Sequence, residues 1–430
     1  MDHIVIIGNG IAGVTLARNI RKLADHKITI VSSESDYFFS RTALMYVYMG
    51  HMKFEHLVPF EPDFWIKNKI NLVFKNVNSI QTNLNAITLD DESTINYDKL
   101  VLATGSKPTK YGWKNQDAKG VLGLYHKQDL ENLEQLSVNC KRAVVVGGGL
   151  IGIELVEMLL SRNIEVTFLV REKSFWSSVL PYEESSLITK HIIEHGVDLR
   201  LETSLDEIIT DSNGRATAIK TNKGEIINCT IVGVTTGVTP NIDFVKNSAI
   251  ATGKGVKVNR YLQTSVKNVY AIGDCAEQQQ PIGNRRAIEA VWYTGKMMGE
   301  TLAQTLVGKP MQYNPGHWFN SAKFFDIEYQ TYGWVFATKL ANETHFYWQH
   351  TTHNKAIRVA FDTNTRLFLG ITSFGIRLRH EFFDCALNEH KSIDDVMQNL
   401  SKANFDPEFF TKYEHEIKNK FDKQHSLQIS

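Results

Sequence analysis

The sequence predicts an α/β protein with two Rossmann-like units and a C-terminal α+β domain. Two of the three observations behind this fold class are copies of one pattern, a short apolar strand followed by a GxGxxG turn, a helix and a second strand. The third is a change to aromatic-rich, alternating segments beyond Tyr313. A length of 430 residues fits two or three domains at about 150 residues each.

The first copy begins almost at the N-terminus. Residues 3–7 form an apolar, β-branched run, and a helical pattern follows that leads to a second strand at 28–31. Gly8 permits the tight turn after the strand, Gly10 lets the backbone approach a pyrophosphate, and Gly13 allows the helix to pack on the strand. The free N–H groups of such a helix N-terminus favour an anion, so the pattern predicts a dinucleotide site.

The second copy occupies residues 142–170. A strand at 142–146 leads into the glycine-rich turn 147–152, a helix that runs through Leu160, and a strand at 166–170. One GxGxxG motif is weak evidence, since it is also found in glycine turns that only need a positive φ. Two copies in the same structural context indicate two dinucleotide-binding units.

Composition excludes several classes of protein. Lys and Arg together number 47, as do Asp and Glu, so the net charge of zero does not indicate a nucleic-acid partner or an anionic membrane surface. The four cysteines are scattered without metal or disulfide spacing, which is typical of a reducing compartment. We find no apolar run of about 18 residues and no room for a signal peptide before the first strand, and we therefore expect a cytoplasmic protein without an integral membrane segment.

The C-terminal part predicts a small antiparallel sheet followed by helices. Alternating segments at 331–337, 345–349, 356–361 and 366–372 are typical of strands, and 362–365 suits a hairpin connection. For the last helix, the sequence suggests a cap at Asp406 and Pro407 at the first helical position. The apolar face of that helix is predicted to carry Phe409, Tyr413, Ile417 and Phe421.

Three further motifs complete an ordered set. Residues 97–108 read YDKLVLATGSKP, residues 233–241 read GVTTGVTPN, and Thr264 is followed by VYAIGDCAE at 269–277. Together with the two glycine-rich turns, this order resembles the pyridine nucleotide-disulfide oxidoreductase superfamily over roughly residues 1–310. The resemblance is specific, because five motifs must coincide in order.

The resemblance implies a glutathione-reductase-like arrangement of domains. Residues 1–112 and 253–315 would form a discontinuous FAD-binding domain, 113–252 an NAD(P)-binding domain, and 316–430 an interface domain. The FAD contacts implied are Gly8, Gly10, Ile11, Ala12, Gly13, Glu34, Arg41, Thr42, Val77, Thr104, Gly105, Gly273 and Asp274. The NAD(P)H contacts implied are Gly147, Gly149, Leu150, Ile151, Gly152, Arg171, Glu172 and Gly237.

Two acidic positions bear on nucleotide recognition. An acid after the second strand usually binds the ribose 2′-OH, but the first unit has Ser32 and Ser33 there, and Glu34 comes slightly late. In the second unit, Arg171 would attract the 2′-phosphate of NADPH, whereas Glu172 would repel it. A mild preference for NADH follows.

Sulfur chemistry at the flavin is excluded by the segment after the first unit. Disulfide reductases of the superfamily have a CxxxxC pair there, and its peroxidases and water-forming oxidases have one cysteine, but residues 37–46 contain none. This segment instead resembles that of the ferredoxin-reductase, nitrite-reductase and apoptosis-inducing-factor-like group. In that group a lysine often stands where this chain has Tyr46 and pairs with a glutamate that corresponds to Glu154.

Glu154 and Trp292 are the candidate catalytic residues. By resemblance, Glu154 lines the nicotinamide site, although a glutamate on an ordinary helix face is the alternative. Trp292 lies in a helix predicted to open at Arg285 and would present a flat π-surface to the flavin, or else only wedge between helix and sheet. Among the histidines, His350 and His353 have i,i+3 spacing but no nearby cysteine or carboxylate cluster, so we predict no metal site.

These features predict an FAD-dependent NAD(P)H oxidoreductase without a redox disulfide. Its acceptor could be an iron–sulfur protein, a quinone or oxygen, and a small electron-transfer protein and a homodimer are the partners that the resemblance implies. The alternative is a flavin-bearing redox sensor or interaction protein that resembles apoptosis-inducing factor. The missing lysine partner of Glu154 and the long C-terminal domain favour that alternative.

Overall fold

Two parallel five-stranded sheets occupy the first 280 residues of the computed structural model, which describes residues 1–406, 408–409 and 411–425. A third, antiparallel five-stranded sheet follows them. The predicted α/β fold class with a C-terminal α+β part is therefore confirmed. No helix within the described ranges is both long and apolar enough to cross a bilayer.

The first glycine-rich unit supplies the centre of the first sheet. Residues 1–112 form the strands β1 (His3–Ile7), β2 (Lys27–Ser32), β3 (Ile70–Phe74), β4 (Val77–Gln81), β5 (Ala86–Leu89), β6 (Thr94–Asn96), β7 (Lys99–Leu102) and β8 (Ser106–Pro108). The helices here are α1 (Ile11–Leu23), α2 (Leu44–Tyr48) and α3 (Pro62–Lys67). β1 lies between β2 and β7 and pairs in parallel with both, which explains why it is apolar along its length.

The second unit repeats this arrangement. Its strands are β9 (Val121–Leu122), β10 (Arg142–Val146), β11 (Glu165–Leu169), β12 (Asp198–Arg200), β13 (Leu205–Thr210), β14 (Ala216–Thr221), β15 (Ile226–Asn228), β16 (Ile231–Val234) and β17 (Val238–Pro240). Its helices are α4 (Lys127–Ser137), α5 (Leu150–Ser161) and α6 (Tyr182–Glu194). The parallel sheet has the order β12-β11-β10-β16-β9, and β17 pairs with β8 of the first unit.

The chain then returns to the first sheet. The elements are β18 (Val256–Val258), β19 (Val269–Ala271), β20 (Ala276–Gln278) and α7 (Trp292–Leu306). β19 adds to the first sheet beside β7, and α7 packs closely on α1, where a Cβ at Gly299 would lie 2.7 Å from the carbonyl oxygen of Ala12. This return agrees with a split first domain, whose boundaries stay a prediction.

The helix expected to open at Arg285 begins seven residues later, at Trp292. Arg285 instead forms a buried ion pair with Glu289 at 3.0 Å and donates to the carbonyl oxygens of three residues at 315–317. The backbone N–H of Gln278 also donates to the carbonyl oxygen of Ala287. These contacts hold the segment before the helix in an irregular, non-helical conformation.

The C-terminal part is a sheet covered by helices. Its elements are β21 (Phe319–Phe324), β22 (Ile327–Gly333), β23 (Glu343–Gln349), β24 (Ala356–Asp362), β25 (Phe368–Phe374), α8 (His380–Asn388), α9 (Ile393–Gln398) and α10 (Glu414–His425). The sheet order is β21-β22-β25-β24-β23, with antiparallel pairing throughout, and the predicted hairpin after residue 361 joins β24 to β25.

The last helix begins later than predicted. Asp406 does not cap it, Phe409 is exposed, and Pro407 lies outside the described residues. The preceding chain is held by backbone pairing between Asn404 and Leu378, and the Asn404 side chain donates to Glu414 at 2.6 Å. From Glu414 onward the predicted face is correct, since Ile417 and Phe421 are buried in the core beneath the sheet.

A buried ion pair joins the second unit to the C-terminal sheet. Arg358 on β24 donates to both carboxylate oxygens of Glu184 on α6, at 2.6 and 2.9 Å, and to Glu183 at 2.7 Å. The side chains of Arg358 and Glu184 are 8% and 0% exposed, whereas that of Glu183 is 49% exposed. The two neighbouring glutamates therefore bind one cation in very different surroundings.

We expect Glu184→Ala to lower the free energy of unfolding by about 3–5 kcal/mol, because it leaves the Arg358 charge buried with a single exposed partner. Glu183→Ala is the matched control and should cost at most about 1 kcal/mol, as for an exposed pair. Urea-unfolding midpoints of the two variants measure the difference. Equal losses in both would show that burial does not govern this contact.

Candidate functional site

A cavity of about 490 Å³ lies at the carboxyl ends of the strands in the first sheet. This is the edge at which ligands bind in open parallel sheets. Its walls contain twelve of the thirteen residues predicted to contact FAD, together with Trp292. Those twelve are Gly8, Gly10, Ile11, Ala12, Glu34, Arg41, Thr42, Val77, Thr104, Gly105, Gly273 and Asp274.

The glycine-rich turn fits a pyrophosphate in its backbone geometry. Gly8 has a φ of +114°, and a Cβ there would overlap the carbonyl oxygen of Ala103. A Cβ at Gly10 would meet no atom within 4 Å, so space is open in front of the helix. No side chain caps the N-terminus of α1, which leaves its first N–H groups facing the cavity. Gly13, the thirteenth predicted residue, is not in the wall, because it packs against the carbonyl of Gly8.

Glu34 is part of a charged cluster at the cavity wall. Arg41 donates to both carboxylate oxygens at 2.7 and 2.6 Å, and the backbone N–H of Lys127 donates to one of them at 3.0 Å. Burial raises the pKa of Glu34, but hydrogen bonds from His126 and Arg41 outweigh it and lower the pKa to about 2. Glu34 is therefore ionised, and its predicted ribose contact would have to share the carboxylate with Arg41.

Asp274 lies deep in the cavity with two hydroxyl partners. Tyr125 and Ser106 each donate to its Oδ2 at 3.2 Å. Burial raises the pKa of Asp274, although the two hydroxyls oppose this effect. No hydroxyl group of the described residues donates to the other carboxylate oxygen, which suits a hydroxyl-bearing ligand such as a ribityl chain.

Sequence reasoning missed several residues of the wall. Tyr125 belongs to the second unit and lies far from any motif, so no local signal in the sequence placed it at the cavity. Ser106, Asn9 and Asn241 lie within quoted motifs, so the sequence contained a signal for these three. Others in the wall that were not predicted include Phe38, Phe39, Lys75, Asn76, Asp243, Phe244 and Gly295.

The second unit repeats the geometry of the first at another place. Gly147 has a φ of +118°, and a Cβ there would lie 2.6 Å from the carbonyl oxygen of Thr235. Gly149 faces open space, no side chain caps α5, and Gly152 packs against the carbonyl of Gly147. None of the eight residues predicted to bind NAD(P)H lines the 490 Å³ cavity. The two predicted sets are therefore separate, each with a glycine-rich turn and an uncapped helix.

The two residues that bear on coenzyme choice are in contact. Arg171 is 82% exposed, and its Nη2 lies 3.2 Å from the carboxylate of Glu172. Glu172 is more buried, so it partly neutralises the guanidinium that would attract a 2′-phosphate.

Glu154 lies near a cation that the sequence did not reveal. It is partly buried on α5, and burial together with the Glu157 carboxylate raises its pKa to about 7, against a lowering effect of Lys323. Lys323, on β21, pairs with Glu157 at 2.6 Å and lies 5.5 Å from the ring centroid of Tyr46. The resemblance led us to expect a lysine at position 46, where this chain has Tyr46. A lysine from the C-terminal part, Lys323, lies beside Tyr46 instead.

Trp292 is the first residue of α7 and lines the cavity. Its ring contacts Tyr293 edge-on at 5.4 Å, and Tyr293 contacts Phe319 of the C-terminal sheet at 4.7 Å. Trp292 therefore joins the cavity to an aromatic series that leads into the C-terminal part.

All four cysteines of the chain lie within the described residues, and none lines the cavity. Cys229 and Cys275 are buried, and burial raises the pKa of both thiols. The wall of the cavity, as formed by the described residues, therefore contains no cysteine side chain.

Comparison with known proteins identifies relatives for most of the chain. A family model described as pyridine nucleotide-disulphide oxidoreductase matches residues 2–299. The assimilatory nitrate reductase electron transfer subunit of Bacillus subtilis is 28% identical over 73% of this chain, which spans only 40% of that relative's length. The rubredoxin-NAD(+) reductase of Acinetobacter baylyi is 30% identical over 64% of this chain and 72% of its own.

The fold is also found in solved structures. The ferredoxin reductase of Rhodopseudomonas palustris aligns with a TM-score of 0.82 over 95% of this chain and 98% of its own, at 22% identity. This likeness extends beyond residue 299 and includes the C-terminal sheet.

We expect Gly10→Ala and Gly149→Ala to separate the two dinucleotide sites. Each added methyl group projects into open space, so the protein should fold, but it blocks the approach of a pyrophosphate. Gly10→Ala should lower FAD affinity by at least about tenfold, or ~1.4 kcal/mol, in a fluorescence titration. Gly149→Ala should retain flavin and raise the KM for NAD(P)H. Loss of flavin in both variants would contradict this assignment.

The pKa of Glu154 generates a prediction about stability. Between about pH 4.5 and 7 the folded chain keeps a proton that the unfolded chain releases, so this group's contribution to stability falls as the pH rises. Glu154→Gln removes the effect and should be more stable than wild type by on the order of 3 kcal/mol at pH 8, but similar at pH 4.5. Thermal melts at both pH values measure it; a gain independent of pH would contradict the raised pKa.

Proposed function

The chain belongs to the pyridine nucleotide-disulphide oxidoreductase family, and we propose that it is an FAD-dependent oxidoreductase that transfers electrons from NAD(P)H to a small iron–sulfur protein. The observation that carries this proposal is the pairing of a cavity at the first glycine-rich turn with a second turn of the same backbone geometry. One site suits a resident dinucleotide and the other an exchanging one.

The residues of the cavity fit FAD. The turn Gly8–Gly13 and the N–H groups of α1 would hold the pyrophosphate, and Asp274 would accept a hydroxyl of the ribityl chain. Bound FAD supplies the redox chemistry, since it accepts a hydride and returns its two electrons one at a time. Tyr125 and Ser106 fix the Asp274 carboxylate, and Arg41 holds Glu34 at the wall of the same cavity.

The second unit positions the electron donor. Gly147–Gly152 and the uncapped α5 would bind the NAD(P)H pyrophosphate, and Gly237 lies after β16 at the carboxyl edge of the same sheet. NADH is the preferred coenzyme, because Glu172 repels a 2′-phosphate and pairs with Arg171. Glu154, one turn into α5, would lie beside the nicotinamide, with its charge governed by Glu157 and Lys323.

An iron–sulfur acceptor is supported by three features. The relative from Acinetobacter is named for rubredoxin, a thiol acceptor site is missing from the cavity, and Trp292 connects the cavity to the C-terminal part. Two electrons from one hydride would leave in two single steps, one to each acceptor molecule, and one proton would be released to solvent.

The sensor alternative loses one of its supports. It rested partly on the missing lysine partner of Glu154, and Lys323 now supplies a cation in that region. Turnover with a one-electron acceptor is therefore the better reading of this site.

The test is flavin reduction followed by acceptor screening. Under argon, NADH should bleach the flavin spectrum, and kcat/KM should be higher with NADH than with NADPH. Steady-state rates with reduced nicotinamide are then compared for rubredoxin, a [2Fe–2S] ferredoxin, ubiquinone analogues and oxygen. A rate with an iron–sulfur protein at least about 100 times that with oxygen supports the proposal.

Two outcomes would overturn it. Flavin that stays oxidised with both nucleotides would exclude the oxidoreductase. Fast reduction with slow reoxidation by every acceptor, together with a reduction-dependent shift in sedimentation, would favour the sensor.

The same sedimentation run measures whether the chain forms the predicted homodimer. A cytoplasmic site of action is supported by four free thiols, two of which are buried.

A further inference from the structure

Two histidines and a carboxylate meet where α6 approaches the C-terminal sheet. His191 and His195 are four residues apart at the end of α6, so their side chains share one helix face. Asp326 lies opposite them in the two-residue turn between β21 and β22. None of the three belongs to the flavin cavity or to the second glycine-rich turn.

Their donor atoms are close enough to bind one ion. The Nε2 of His191 lies 2.6 Å from Oδ1 of Asp326, and the Nε2 of His195 lies 3.9 Å from the same oxygen. One possible ligand atom from each of the three residues lies within 4.8 Å of those from the other two. Around a tetrahedral zinc ion with bonds of about 2.0–2.1 Å, ligand atoms are about 3.4 Å apart, so shifts of roughly 1 Å would accommodate it.

The other ring nitrogens already have partners of the kind that orient metal ligands. Nδ1 of His195 donates to the carbonyl oxygen of His191 at 2.9 Å, which leaves its Nε2 with a free lone pair. The side-chain Nδ2 of Asn354 lies 3.0 Å from Nδ1 of His191, to which it donates. A 180° turn of this amide would place Oδ1 there instead, so that Nδ1–H donates to Oδ1 and the Nε2 of His191 also presents a lone pair.

Packing and charge favour a cation at this position. The ring of His195 stacks on that of Phe325, the residue before Asp326. The ring centroids are 4.1 Å apart and the ring planes differ by 10°. The carboxylate of Glu194, 4.0 Å from His191, adds a second negative charge.

We propose that His191, His195 and Asp326 bind a divalent transition-metal ion, with zinc as the best match to two imidazoles and one carboxylate and with water as the fourth ligand. Asp326 is 77% exposed, which gives the ion a path from solvent. This site differs from the sequence-based expectation of no metal, which considered only His350 and His353. The ion would tie the end of α6 to the C-terminal sheet, about two helical turns from Glu184.

The test measures zinc binding by the tag-free full-length holoprotein after treatment with a chelator. Competition with a chromophoric chelator should give one site per chain, and zinc should raise the Tm. His195→Gln and Asp326→Asn, both at partly or largely exposed side chains, should lower the zinc affinity by at least about 100-fold. Asn354→Ala should lower it by about 10–100-fold, since it only orients His191.

The matched control is the double variant His350→Gln/His353→Gln, which removes another adjacent histidine pair, stacked at 4.7 Å. It should bind zinc as the wild type does. Cobalt in place of zinc should give a visible absorption band that is lost in His195→Gln but kept in the control. Retention of flavin by each variant shows that it is folded. Binding that is weak, exceeds one equivalent, or falls equally in the control would overturn the site.

Discussion

The close approach of backbone to backbone at Gly8 and Gly147 is the constraint on which both predicted dinucleotide sites depend. In each unit the carbonyl of a neighbouring strand lies where a Cβ would be, at Ala103 in the first and Thr235 in the second. Only glycine permits this contact, and the contact lets the helix begin immediately after the strand with its N–H groups directed at the strand edge. The cavity, the uncapped helices and the direction of the sheets all follow from that turn.

Features that depend on neighbours in the chain were predicted well. The glycine turns, strands β1 and β10 and the buried face of α10 come from local spacing, and the structure has them where the sequence indicates. The predicted start of α10 and the predicted helix before Trp292 were wrong, because Asn404 pairs with Leu378 and Arg285 binds Pro315, both distant in the chain. Hydrophobic periodicity carries no information about such contacts.

In the candidate site, too, the residues within local motifs were predicted and those from distant segments were not. The motif residues line one cavity in the structure. Tyr125, which lines the same cavity, and Lys323, which lies near Tyr46, come from other parts of the chain. Lys323 is the clearest case, since a cation was expected at position 46 and one arrives from β21. A cation therefore lies near Glu154, but it comes from a distant part of the chain, and a pattern search along the sequence cannot detect that.

The return of β19 to the first sheet also affects the order in which the chain becomes structured during synthesis. The second sheet uses strands between Val121 and Val234 and is complete as soon as those residues have emerged. The first sheet must wait for residues 269–271, although its central strand was the first to be made. Because domains fold as units as they leave the ribosome, the second unit is able to fold before the first, whose sheet edge beside β7 stays open until then.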